Sequence, residues 1–336
     1  MKNILIRNYE ETKEEILINY DKDSFSVSWQ QNETWELSVT VPETKRNQIT
    51  FDLIDYENYV VFDGQQYSIK QMRPYASGSQ IYKDVVATHV YYTIQDGWQY
   101  DTISGTKSIN DLLTHIFNRG FSWEVVDPNN VFLKKEQENF GNDNYLNLIN
   151  EILEDYGAVV IPNNKHLVFY PISDYGNITE QQIRYKYNTD EVSFDIDTYA
   201  LKTQIKGFGK KKEDDSYYFN PVTYTSPESQ KWGIRIQDPI EDERYTIQNN
   251  MIEYLKQQLH DYPDVSGSVT LKCAVSLNKG DKVLFVYEPL NISTYIQVVG
   301  ITDYPAIPNK APEIVLSNTK KTITSILANL AKKGLM

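Results

Sequence analysis

Four stretches near the N-terminus alternate apolar and polar residues: FSVSW (25–29), TWELSVTV (34–41), QITFDLI (48–54) and QYSIKQM (66–72). Successive side chains on a strand point to opposite faces, so a period of two commits a segment to a half-buried antiparallel strand. Asp63-Gly64, between YVVF and QQYSI, supplies the two residues that a tight hairpin turn prefers. Pro42 and Pro74 are expected at strand ends, where the missing N–H costs no ladder bond. Strands this frequent, with no helical period between them, point to a small barrel or sandwich, and residues 1–98 are expected to form a first β-barrel domain.

The period changes after Gly105. Ser108 and Asp111 fit a helix start, Ile109, Leu112, Leu113, Ile116 and Phe117 share one face, and Gly120 is a suitable stop. A second helix is expected from Asn142 or Asn144, with Leu146, Ile149, Leu153 and Tyr156 at helical spacing before Gly157. AVVIPNNKHLVFYP then reads as two short strands around Asn163-Asn164. Residues 99–188 are therefore expected to form a small α/β helix-plus-hairpin domain.

Strands resume near Glu191 and predict a second β-barrel domain over 189–316. It contains an extended, tyrosine-rich connector (224–263) and one amphipathic helix, 242–261. Ile247, Met251, Tyr254, Leu255 and Leu259 form the stripe of that helix, and Pro263 marks its exit. Residues 317–336 predict a C-terminal helix, with Ile323, Ile326, Leu327 and Leu330 on one face and Lys332 and Lys333 at its negative end. The fold class is thus mainly β with an α+β insert. One internal echo links YVVFDGQQYSIKQMRPYA (59–76) with KVLFVYEPLNISTYIQVVGITDYPA (282–306): both run strand, turn, strand. If the echo is genuine, it means two related barrels in one chain.

Composition narrows the class further. A hydrophobic content of 40% and a charged content of 24% describe a folded chain. Its 26 tyrosines suit either strands or interfaces. A net charge of −13 disfavours wrapping of nucleic acid, which needs cations to neutralise phosphate. General solubility accounts for that charge, and an acidic wall that repels DNA from a channel is the functional alternative. Cys273 is the single cysteine, so no internal disulfide is possible, and its alternating surroundings predict a small buried hydrophobe. The N-terminus is too polar for a signal peptide, and no window reaches the ~18 apolar residues of a membrane span. Synthesis in a cytoplasm is expected.

Nothing reads as a catalytic, cofactor-binding or metal site. Gly207-Phe208-Gly209 followed by three lysines lacks the spacing and the trailing Ser/Thr of a phosphate loop, and predicts a strand end with a basic turn. His89, His115, His166 and His260 have no ligand spacing, and each is expected at the surface or an edge. Ser77-Gly78-Ser79 is not a nucleophile elbow. Carboxylates are abundant, but abundance alone is a weak signal for a hydrolytic pair. Trp29 and Trp35 are expected to pack across a hairpin; Trp98, Trp123 and Trp232 complete an even spread that offers no ligand platform.

Three stretches carry a family likeness: WGIRIQDPIEDERYTIQNNMIEYLKQQL, LNKGDKVLFVYEPL (277–290), where Lys279-Gly280-Asp281 turns into a strand, and APEIVLSNTKKTITSIL. With the order of segments, they resemble the baseplate hub or tail-associated hub family, including the prophage endopeptidase tail proteins of Gram-positive siphophages. The resemblance implies a structural tail-tip subunit of a phage or prophage virion, assembled in the host cytoplasm. It implies a homotrimer whose six barrels match a six-fold tail tube. Partners would be distal tail, tape-measure or tube proteins, with DNA passing through the lumen unbound and no cofactor. Family members often carry a peptidoglycan-cleaving domain beyond the hub. This sequence ends at Met336, so no enzyme activity is expected. A peptidoglycan-degrading tail enzyme and a glycan-binding host-recognition protein are the rival readings.

Overall fold

The computed structural model describes residues 2–116, 120–243, 245–271, 277–290 and 292–318. The chain forms two compact units, residues 1–193 with 267–336, and residues 194–266. It is mainly β: one sheet of thirteen strands, largely antiparallel, accompanies three small sheets.

The large sheet is built twice over. In the first module, neighbouring strands run Leu5–Arg7, Tyr59–Phe62, Gln65–Ser77, Gln80–His89, Thr34–Pro42 and Asp21–Gln30. In the second they run Ile178–Arg184, Lys282–Tyr287, Ile292–Asp303, Glu313–Ser317, Asp264–Leu271 and Thr189–Asp197. Each position in one list has the same place in chain order within the other. The register agrees as well. Ser68 pairs Tyr59 and Gln297 pairs Lys282, in each case the first residue of the shorter strand. A β-bulge falls on the next rungs of both, between Ile69/Gln71 opposite Ala87/Val86, and between Val298/Gly300 opposite Leu316/Val315. The echo between 59–76 and 282–306 is therefore the matching hairpin of two modules of like topology. One strand differs: Leu5–Arg7 runs antiparallel to its neighbour and Ile178–Arg184 runs parallel.

The two modules are not separate barrels. Residues 300–303 of the second pair antiparallel with 27–30 of the first, Gly300 opposite Gln30 and Asp303 opposite Val27. That pairing uses the edge of Asp21–Gln30 that would have to close the first module on itself. Among the described residues no strand path closes, so the closed barrels expected from sequence are not found.

Local expectations held where a cap or turn fixed them. Ser108 and Asp111 bond reciprocally at the start of helix Ile109–Ile116. Helix Tyr145–Tyr156 begins with the Asn144 side chain accepting from the Asn147 N–H and ends at Gly157, φ 61°. Both helices pack into one core with strands Ala158–Asn163 and His166–Pro171. Strand Ser122–Val125, parallel to the latter, completes that small sheet. Asp63 and Gly64 take φ of 53° and 74°, as a two-residue hairpin turn requires.

Other readings need correction. QITFDLI is not a strand: Gln48–Leu53 is a short helix that buries Thr50 and Phe51, with Ile54 buried just beyond. Residues three and four apart share a helix face, as Phe51 and Thr50 do with Ile54, and over so few residues this pattern passes for alternation. Pro74 lies inside Gln65–Ser77 rather than at its end.

Residues 194–266 interrupt the second module between Thr189–Asp197 and Asp264–Leu271. The first module joins the equivalent strands by the turn of residues 31–33. The inserted unit has a small sheet of Gln204–Phe208 flanked by Val222–Thr225 and Ile240–Glu241. Ile205, Val222, Met251, Leu255 and Leu259 form its core, the last three from helix Gln248–Gln258 and its C-cap. That helix is shorter than 242–261, and Ile247 stands exposed at its N-cap instead of joining the stripe. The expected C-terminal helix and Cys273 lie outside the described residues.

Candidate functional site

The join between the modules is the most developed constellation in the chain. Trp29 and Trp35 sit opposite each other on the hairpin of the first module, as expected from sequence. Lys279, from the second, places its Nζ 3.0 Å from the Trp35 ring centroid and 5.1 Å from that of Trp29. The turn that delivers it is tightly held. Asn278 N donates to Asp281 Oδ2, and Gly280 takes φ +79°. Gly280 N donates to the Val298 carbonyl, while Gln297 Nε2 donates to the carbonyls of Tyr175 and Gly280. A Cβ on Gly176 would lie 1.8 Å from the Gly280 oxygen, so only glycine permits this approach.

Burial pushes the Lys279 ammonium down to about 7, against the pull of the Asp303 and Asp63 carboxylates in the other direction. The Trp35 ring also stacks on His89, centroids 4.2 Å apart and nearly coplanar, and Tyr67 meets both rings edge-on. Because His89 Nδ1 accepts from Tyr91 N, the neutral ring carries its proton on Nε2 and donates to Gln65 Oε1 at 3.0 Å. Burial, and secondarily the charge of Lys279, lower its pKa to about 3. Each histidine was expected at the surface or an edge; His89 is fully buried because stacking and two hydrogen bonds satisfy it. The cluster cements two modules. It presents no nucleophile–base pair aimed at solvent.

The remaining sequence candidates are dispersed. His115 bonds the Asp101 carbonyl, His166 bonds Ser122, and His260 faces Asp264 at 3.0 Å. Among the described residues no group of three or more His, Cys, Asp or Glu could hold a metal ion. Gly207 and Gly209 are packing glycines: a Cβ would meet Leu255 and Met251 at 2.9 Å in the first case and the Phe219 ring at 2.4 Å in the second. No described helix is long and apolar enough to cross a membrane.

Comparison with known proteins places this architecture. The descriptions "Prophage endopeptidase tail N-terminal domain", "Prophage endopeptidase tail domain" and "Prophage endopeptidase tail" match residues 4–89, 96–169 and 177–327. A prophage tail protein, gp18 from Listeria monocytogenes EGD-e, is 52% identical over 98% of both chains, with a TM-score of 0.79. The tail protein from Neisseria meningitidis MC58 shares the fold at 12% identity, covering 94% of this chain and 96% of its own, TM-score 0.56. A 43 kDa tail protein of prophage MuSo2 from Shewanella oneidensis does so at 10% identity, covering 94% and 97%, TM-score 0.56. No curated protein matches. The molecule is thus a phage tail component of mainly β architecture. The chain belongs to the prophage endopeptidase tail family.

Proposed function

We propose that the protein is a tail-tip or baseplate hub subunit, whose copies assemble into a ring that joins the tail tube to the tip and passes DNA. The observation that carries this reading is the duplicated module, with matching strand order and matching bulge. Three copies would present six like modules, the number a six-fold tube would meet on one side while the tip keeps three-fold symmetry. Tube, distal tail and tape-measure proteins are the partners this geometry suits. A net charge of −13 suits a passage that must not retain DNA.

The role is structural rather than catalytic. Sedimentation and negative-stain images of the concentrated protein test the ring: three-fold annular particles are expected, and two-fold dimers would overturn it. Zymography on bacterial cell walls tests the rival hydrolase reading. Clearing that is lost on Asp or Glu substitution would refute the structural assignment, and binding on a glycan array at micromolar strength would favour host recognition.

A further inference from the structure

The small sheet of the inserted unit ends on residues 234–237. They run parallel to the start of Gln204–Phe208, with Ile236 bridged to Gln204. Arg235 and Gln237 make that join. The Arg235 carbonyl accepts from Thr203 N and Gln204 N at 2.7 and 3.0 Å, and Gln237 N donates to the Gln204 carbonyl at 2.8 Å. Side chains hold the segment at both ends: Arg235 N donates to Thr203 Oγ1, and Gln237 Nε2 donates to the Gln258 carbonyl. Alternate residues of a strand turn their N–H and C=O to opposite edges. Ile234 and Ile236 therefore turn theirs outward, and among the described residues neither finds a main-chain partner. Their side chains, 57% and 66% exposed, share one face of the edge. An exposed apolar edge with unpaired amides is a template for a further strand.

We propose that this edge pairs antiparallel with the same edge of a second copy, Ile236 opposite Ile236, joining two small sheets across a two-fold axis. The sequence KWGIRIQDPIE (231–241) is self-complementary about that residue. Reversal sets the Lys231 end of one copy beside the Glu241 end of the other and places Arg235 opposite Gln237. Sliding the pair by two residues would instead set Arg235 against Arg235, and like charges directly opposite are destabilising. In the chosen register Ile236 meets its own copy and lies diagonal to the other copy's Ile234, within reach of cross-strand packing. The outward N–H and C=O of the two Ile236 residues exchange a pair of hydrogen bonds, and Ile234 does the same with Asp238. The contact is isologous, so it differs in kind from the heterologous contacts of a ring and does not rest on the ring reading.

Disulfide trapping of the full chain, with Cys273→Ser removing the single native thiol, tests the register. Residues opposed in a hydrogen-bonded antiparallel pair lie about 5.5 Å apart at Cα, within disulfide reach. Ile236→Cys should therefore link to itself under mild oxidation. Ile234→Cys should not, because it faces Asp238, whereas an equal mixture of Ile234→Cys and Asp238→Cys chains should link. Ile236→Pro removes an outward N–H and spares the bonds to Gln204, so sedimentation should show its self-association through this edge lost. Ile236→Cys chains that do not link, or Ile234→Cys chains that link to themselves equally well, overturn the pairing whether or not rings form. Two-fold dimers trapped through residue 236 without rings support the pairing and overturn the ring reading. Rings joined face to face through residue 236 support both.

Discussion

Lys279 gives the sharpest quantitative test of the module join. The residue is half-buried with its ammonium over two indole rings, and its pKa falls from the ordinary 10.5 to about 7. Consider the wild type against Lys279→Met, which keeps an apolar stem and removes the titrating group. Below pH ~7 the lysine is protonated folded and unfolded, and folding bears the full cost of burying the charge. Between about 7 and 10.5 the unfolded chain still binds the proton and the folded chain does not, so stability rises with pH. Each pH unit in that window contributes about 1.4 kcal/mol. From about pH 6 to pH 9 the wild type should therefore gain roughly 2–3 kcal/mol relative to the variant. His89 and Asp303 both feel the Lys279 charge, so the variant alters their titrations too, and the comparison is confined to about pH 6–9, above the folded-state transition of His89 near 3. Urea unfolding at the two pH values reads the difference directly. Parallel curves would show that the ring faces, which favour a cation by about 2 kcal/mol when desolvated, hold the ammonium charged and that burial does not govern the site.

Three further outcomes follow from the packing. His89, with its pKa lowered to about 3, stays neutral while the unfolded chain takes up a proton near 6.5, so stability falls as pH drops through that interval. His89→Gln should remove about 1.4 kcal/mol per pH unit from that acid slope, read by urea titration. Gly176→Ala meets the Gly280 oxygen and takes up φ +79°, and calorimetry should show a loss of about 2 kcal/mol or more. Leu255→Ala, fully buried over Gly207, should cost about 2–5 kcal/mol in the inserted unit, with limited proteolysis mapping new cuts to 194–266.

How much of this was legible in the sequence depended on distance along the chain. The Asn144 cap, the Gly157 stop and the Asp63-Gly64 turn each act within a few residues, and each appears where read. The echo of 59–76 in 282–306 was legible because that hairpin is contiguous in both modules. The equivalent of the Asp21–Gln30 and Thr34–Pro42 hairpin was hidden, because 194–266 divides it in the second module. The join itself left no local trace: Ser28 meets Thr302, and Trp35 meets Lys279, from opposite ends of the sequence. Alternation reports that a strand has a buried face and is silent about which strand lies beside it. Two barrels were expected for that reason, and one shared sheet is observed. His89 was expected at the surface or an edge because it lacks ligand spacing, and its stacking partner Trp35 comes from a different strand.

The bulge argues most strongly that the modules are copies of one design. A common strand order could arise twice, because connection rules leave few arrangements for a small antiparallel sheet. A bulge is different, since it inserts one residue at one rung and redirects everything beyond it. Here one constant displacement along the chain carries Ser68, Ile69 and Gln71 onto Gln297, Val298 and Gly300, and carries Ala87 and Val86 onto Leu316 and Val315. In both modules the strand past the bulge leaves its short neighbour and offers a fresh edge. In one module that edge is filled by Asp21–Gln30, and in the other no strand lies beside it among the described residues.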